Sequence, residues 1–127
     1  MAIVKNYREL IAWQLAEEFK KAVFELVDKS ERIQLEHKFR SQLIEAACSV
    51  SKNIAEGFRR FKPRSIDQFF GYALASLHEA EDRIRDAIQL RYFAAADCAR
   101  ALNYAKRCTV ATIRFKKSQR SRAKPAD

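Results

Sequence analysis

Apolar residues recur along this chain at spacings of three and four, the interval at which side chains return to one face of an α-helix. Leu10, Ile11, Leu15, Phe19, Ala22, Val23 and Leu26 trace one such face and predict a first helix over residues 6–27. Asn6 is placed to cap its free amides, with Glu9 reaching back from the third helical position. Asp28, Lys29 and Ser30 read as a turn, Ser30 capping the second helix. That helix carries Leu35, Phe39, Leu43, Ala47, Val50 and Ile54 on one face and turns Glu36, Lys38, Arg40 and Glu45 to solvent. Gly57 either ends it, through the left-handed conformation glycine adopts without strain, or marks a close crossing within a longer helix.

Ser65 with Gln68 three residues on is a capping-box pattern, and Pro63 closes off the preceding helix, so a third helix is predicted from residue 65. Its stripe of Ile66, Phe70, Ala73, Leu77, Ala80, Ile84 and Ala87 alternates spacings of four and three, the seam of helices packed at shallow angles. Phe69, Tyr72 and Leu74 add a second apolar stripe, which predicts a subunit interface. A fourth helix over residues 95–117 presents small side chains at Cys98, Ala101, Ala105, Cys108 and Thr112. Residues 118–127 are polar, basic and interrupted by Pro125, and read as a disordered arm. Four long helices joined by short turns predict an all-α fold: an antiparallel up-down four-helix bundle in one domain over residues 1–117.

Composition sharpens that picture. The 127 residues suffice for one core without staples, and two glycines and two prolines leave few turns. Lys5, Arg8 and Glu9 interrupt any signal-like apolar run, and no segment approaches the ~18 residues that span a bilayer, which predicts a soluble, cytoplasmic protein. Three cysteines without a CxxC pair read as small buried residues.

Charge changes the picture most. Residues 1–97 hold 16 Lys and Arg against 15 Asp and Glu, whereas residues 98–127 hold nine against Asp127 alone. Such segregation makes a local positive field that attracts polyanions. Arg100, Arg107 and Arg114 recur every seven residues and trace a stripe about 21 Å long, flanked by Tyr104 and Lys117. Arg59, Arg60, Lys62 and Arg64 form a second cluster between the second and third helices. Planar arginine donors suit phosphate, so RNA or DNA is the expected partner. Few aromatics interleave with these residues, which predicts backbone recognition with little sequence preference. The alternative is an adaptor whose basic face docks an acidic protein such as a polymerase. A membrane role lacks the apolar face it would need.

Catalysis finds no footing. A di-iron bundle needs Glu-x-x-His on two helices, which the chain does not contain, and His37 and His78 fall on different helices without a ligand spacing. Neither a nucleophile triad nor a glycine-rich phosphate loop is present. The expectation is a non-enzymatic protein with no metal and no cofactor.

The string FRSQLIEAACSVSKNIAEGFRRF over residues 39–61, with AWQLAEEF over 12–19 and FFGYALASLHEAEDRI over 69–84, resembles the 23S rRNA intervening sequence proteins, a four-helix-bundle family. The resemblance covers about residues 7–93, and Arg114 and the basic tail lie outside its blocks. It implies a homopentameric ring or barrel. Similarity to accessory proteins of diversity-generating retroelements implies basic surfaces that bind RNA or DNA and a reverse transcriptase. Ser51 stands where the family usually has proline, which weakens or removes any kink in the second helix. Within the motif, Asn53 and Glu56 share a helical face; they either line a binding surface or, the favoured reading, are structural, capping or bridging neighbouring helix ends while Gly57 ends the helix.

Overall fold

The computed structural model describes residues 5–123. A single 3₁₀ turn (Tyr7–Glu9) precedes α1 (Ile11–Lys29), the one-turn α2 (Glu31–Gln34), α3 (His37–Arg59), α4 (Pro63–Gln89) and α5 (Ala95–Ala123). Each long helix packs against two others, in the cyclic order α1, α3, α4, α5 and back to α1. Cross-helix pairs show that neighbours run antiparallel. Ser76 donates to Ser49 at 2.9 Å midway along α3 and α4, while Gly57 near the end of α3 meets Phe70 near the start of α4. Arg100 at the start of α5 reaches Glu25 late in α1, and Cys108 further on reaches the Ala12 carbonyl. The all-α up-down bundle is thus the fold.

The α4 seam is buried as its spacing requires: all seven residues from Ile66 to Ala87 lie in the same core as Phe19, Val23, Leu43, Val50 and Ile54. The small residues of α5, Cys98, Ala101, Ala105, Cys108 and Thr112, are buried too, which lets α5 approach closely. Cys98 and Cys108 are buried free thiols and Cys48 is half-buried. α3 runs uninterrupted through Ser51, whose side chain is buried.

Several boundaries differ from expectation, each for a local reason. Both halves of the Asn6–Glu9 capping box form, yet they cap only the 3₁₀ turn. Leu10 is extended (ψ 129°) and buried, and this bend delays α1 to Ile11. Ser30 caps as expected, accepting from the Ile33 amide at 3.1 Å and donating to the Tyr92 carbonyl at 2.7 Å. The helix it starts is one turn long, because Ile33 fills the core position and leaves Leu35, expected inside, 79% exposed.

Gly57 does not end α3, which continues to Arg59. It marks a close crossing instead: a Cβ there would lie 2.8 Å from the Phe69 Cβ and 3.2 Å from the Phe70 ring. The left-handed residue that reverses the chain is Phe61, at φ 60°. α4 begins at Pro63 rather than Ser65, because proline at the first helical position gives up an amide that has no partner there anyway. Gln68 donates to the Tyr72 hydroxyl at 2.8 Å instead of closing a capping box. α5 continues past residue 117 to Ala123, so residues 118–123 of the expected arm are helical. Asp67 of α4 holds those last turns, 2.7 Å from Arg120 and 3.9 Å from Lys116, and Gln119 is buried. The remainder of the expected arm, residues 124–127, lies outside the described residues.

Candidate nucleic-acid interface

The arginine stripe of α5 lies along its edge with α1. Arg100 sits at the far end, 3.4 Å from Glu25, and both side chains are more than half exposed, so the pair is weak but cancels the arginine's field. Arg100 and Arg107 stand 5.7 and 5.5 Å from the Tyr104 ring centre. Among the described residues, Arg107, Arg114 and Lys117 have no ion-pair partner. Arg107 and Arg114 rim a groove of about 800 Å³ between the start of α1 and α5, lined with Leu10, Leu15 and Phe115.

The second cluster is held by aromatics as well as by charge. Arg59 donates to the Tyr7 hydroxyl at 3.2 Å with its guanidinium 4.7 Å from that ring's centre. Arg60 pairs with Glu56 at 3.1 Å and lies over Phe69. Lys62 and Arg64 are exposed.

Up-down topology joins the two clusters. The start of α1, the end of α3, the start of α4 and the end of α5 share one end of the bundle, as the pairs Tyr7–Arg59, Phe58–Phe115 and Asp67–Arg120 show. Segments 5–15, 53–67 and 114–122 bring two, four and five Lys and Arg to that end, eleven in all, against only Glu9, Glu56 and Asp67. Each of these acids is already engaged: Glu9 by the Lys5 and Asn6 amides, Glu56 by Arg60, Asp67 by Arg120 and Lys116. The sequence-predicted residues Arg59, Arg60, Lys62, Arg64, Arg114 and Lys117 therefore converge, Arg107 lies along the adjoining edge, and Arg100 is set apart. Spacing along one helix could not reveal this; pairing the helices antiparallel does.

Asn53 and Glu56 neither cap nor bridge helix ends, contrary to expectation. Asn53 donates within α3, to the Ser49 carbonyl at 2.8 Å and the Ser49 hydroxyl at 2.9 Å, and Glu56 pairs within α3 too. Their face of α3 opens onto a groove shared with α1, where Tyr7 and Trp13 come beside Lys52 and Arg59. Aromatics that sequence separates from the basic residues are thus brought next to them by the fold. The stripe expected at a subunit interface is partly covered within the chain: Phe69 and Leu74 are half-buried and Tyr72 is 48% exposed. His37 and His78 lie on α3 and α4 and are not brought together, and among the described residues no three His, Cys, Asp or Glu side chains converge.

Titration is perturbed mainly in the interior. Burial pushes the Cys108 thiol up to about 11, against a hydrogen bond with Thr112. Burial also raises Cys98. Burial would raise Glu17 as well, but hydrogen bonds from Lys20 and Ser51 and the charges of Lys20 and Lys21 hold its carboxyl below the ordinary value.

The sequence profile of the 23S rRNA-intervening sequence proteins matches residues 8–113. The chain belongs to this family. Among curated proteins, none matches it. Membership is compatible with an RNA-related role. For a 23S rRNA-intervening sequence protein the match takes in Arg59, Arg60, Lys62, Arg64, Arg100 and Arg107, while Arg114 and Lys117 fall just beyond it. Among the described residues, no helix is long and apolar enough to cross a membrane.

Proposed function

We propose that this protein is a non-enzymatic, cytoplasmic, homo-oligomeric bundle that binds RNA or DNA phosphates at its basic end. The observation that carries the reading is the convergence of eleven Lys and Arg on one end with three acids, all engaged. Arginine forks grip phosphate oxygens two at a time, and among the described residues the end presents Arg64 and Arg114 without competing carboxylates. Assembly as a homopentamer, which the resemblance implies, multiplies the surplus along one strand. Exposed Ile11, Val110 and Ile113 on the α1–α5 side and Tyr72 on α4 are apolar area that contacts between copies would cover. In this reading a reverse transcriptase is a further protein partner, and neither metal nor cofactor takes part.

A second reading has its own observation. The groove rimmed by Arg107 and Arg114 has an apolar lining that phosphate does not need, and it suits an acidic protein segment. Fluorescence polarisation with labelled RNA and DNA across a salt series separates the two. Phosphate binding gives a log–log slope of about −0.7 to −0.9 per contact, and light scattering counts the copies. If neither nucleic acid binds while an acidic partner does, the adaptor reading replaces the first.

A further inference from the structure

We propose that the groove between α1 and α3 is a binding site for an unpaired nucleobase; this rests on the nucleic-acid reading above and adds to it a preference for single strands. The groove has a volume of about 480 Å³, the size of a small-ligand site. Its walls combine the three things an unpaired nucleotide needs. Tyr7 and Trp13 stand edge to face, centroids 5.3 Å apart and planes at 70°, and half-buried Trp13 lines the groove. The Tyr7 ring already carries the guanidinium groups of Arg8 and Arg59, 5.0 and 4.7 Å from its centre, which leaves Trp13 as the ring for a base, and an aromatic face stacks any base. Lys52 is exposed and unpaired among the described residues, and Arg59 spends one donor on the Tyr7 hydroxyl and keeps the rest for phosphate.

Asn53 supplies the third element. The Ser49 carbonyl accepts only, so the Asn53 amide must turn its NH₂ inward to Ser49, which fixes which way the side chain lies. Its Oδ1, which accepts no hydrogen bond among the described residues, is then a directed acceptor for the exocyclic amine of adenine, cytosine or guanine. Two acids also line the groove, and both are engaged: Glu17 lies 2.7 Å from Lys20 and Glu56 3.1 Å from Arg60. Arg59 stands where the groove opens onto the basic end, so a strand whose phosphates lie on that end can turn one base inward. Bases stacked in a duplex cannot enter.

Trp13 is the only tryptophan in the chain, so its emission reports on this groove alone. The wild-type protein is titrated with short single-stranded oligoadenylate, with the same strand annealed to its complement, and with inorganic polyphosphate, which carries charge without bases. Oligoadenylate should quench Trp13, while duplex and polyphosphate bind without quenching. Trp13→Leu, its fold checked by thermal melting, should lose about 5- to 150-fold in affinity for the single strand and keep its affinity for polyphosphate. If oligoadenylate binds by polarisation yet leaves Trp13 emission and the Trp13→Leu affinity unchanged, this proposal falls and the phosphate-binding reading stands. If no polyanion binds, both fall. Emission that follows protein concentration instead of oligonucleotide would assign the groove to contacts between copies and overturn the proposal.

Discussion

Replacing Gly57 with alanine sets two effects of opposite sign against each other. In a helix interior alanine is favoured over glycine by about 0.8–1.0 kcal/mol. At Gly57 the added Cβ would sit 2.8 Å from the Phe69 Cβ, an atom fixed to the α4 backbone that no rotamer change can move. Carbon atoms rest at about 3.5–4.0 Å, so α3 and α4 must part by at least ~0.7 Å, and the Phe70 ring at 3.2 Å must give as well. Overpacking of this kind costs about 1–3 kcal/mol, which leaves Gly57→Ala a net loss of about 1 kcal/mol. Gly71 is the internal control. Among the described residues its Cβ would meet only the Lys116 Nζ, at 3.6 Å, so Gly71→Ala should gain up to about 1 kcal/mol. Urea denaturation followed by circular dichroism measures both. A Gly57→Ala variant as stable as the wild type, or more so, would refute the close-crossing account of this glycine.

Two further outcomes follow from burial. Leu35→Gln should change stability by no more than about 0.5 kcal/mol, whereas Ile33→Ala, at a fully buried site, should cost about 2–5 kcal/mol; the reverse order would mean that Leu35 packs inside after all. Because the folded Cys108 thiol is raised from its ordinary 9.0 to about 11, its neutral form contributes stability that is complete below the lower value and lost as pH climbs through the higher. Urea midpoints between pH 8 and 11 should therefore fall less in Cys108→Ala than in the wild type, and parallel curves would argue against a buried neutral thiol.

The helical periods and the α4 seam were legible in the sequence because burial on one face repeats every three to four residues and leaves little choice of which side faces in. Boundaries were harder, since local signals compete. The Asn6–Glu9 box forms yet caps only a 3₁₀ turn once Leu10 is drawn into the core, and the proline at 63 takes the helix start that Ser65 and Gln68 advertise. Leu35 and Ile33 both fit an apolar face, and only the packing of a one-turn α2 decides between them. The basic end was visible as two separate charge clusters; their meeting follows from the up-down topology that the helical periods imply, whereas the extension of α5 past residue 117, which carries Arg120 and Arg122 onto the same end, was not announced. The same topology brings Trp13 beside Arg59 and Lys52, which no local pattern announces.

The central claim is that the position of the charge matters beyond its amount, and two variants of equal net charge test it. One replaces Lys62, Arg64, Arg114 and Lys117 with glutamine at the basic end; the other replaces Lys29, Lys38, Arg85 and Arg100 at the opposite end. Salt-dependent polarisation with one labelled RNA should show the first variant's log–log slope shallower by about 3, for four lost phosphate contacts, and the second's close to wild type. Equal slopes in the two variants would contradict a localised phosphate-binding end.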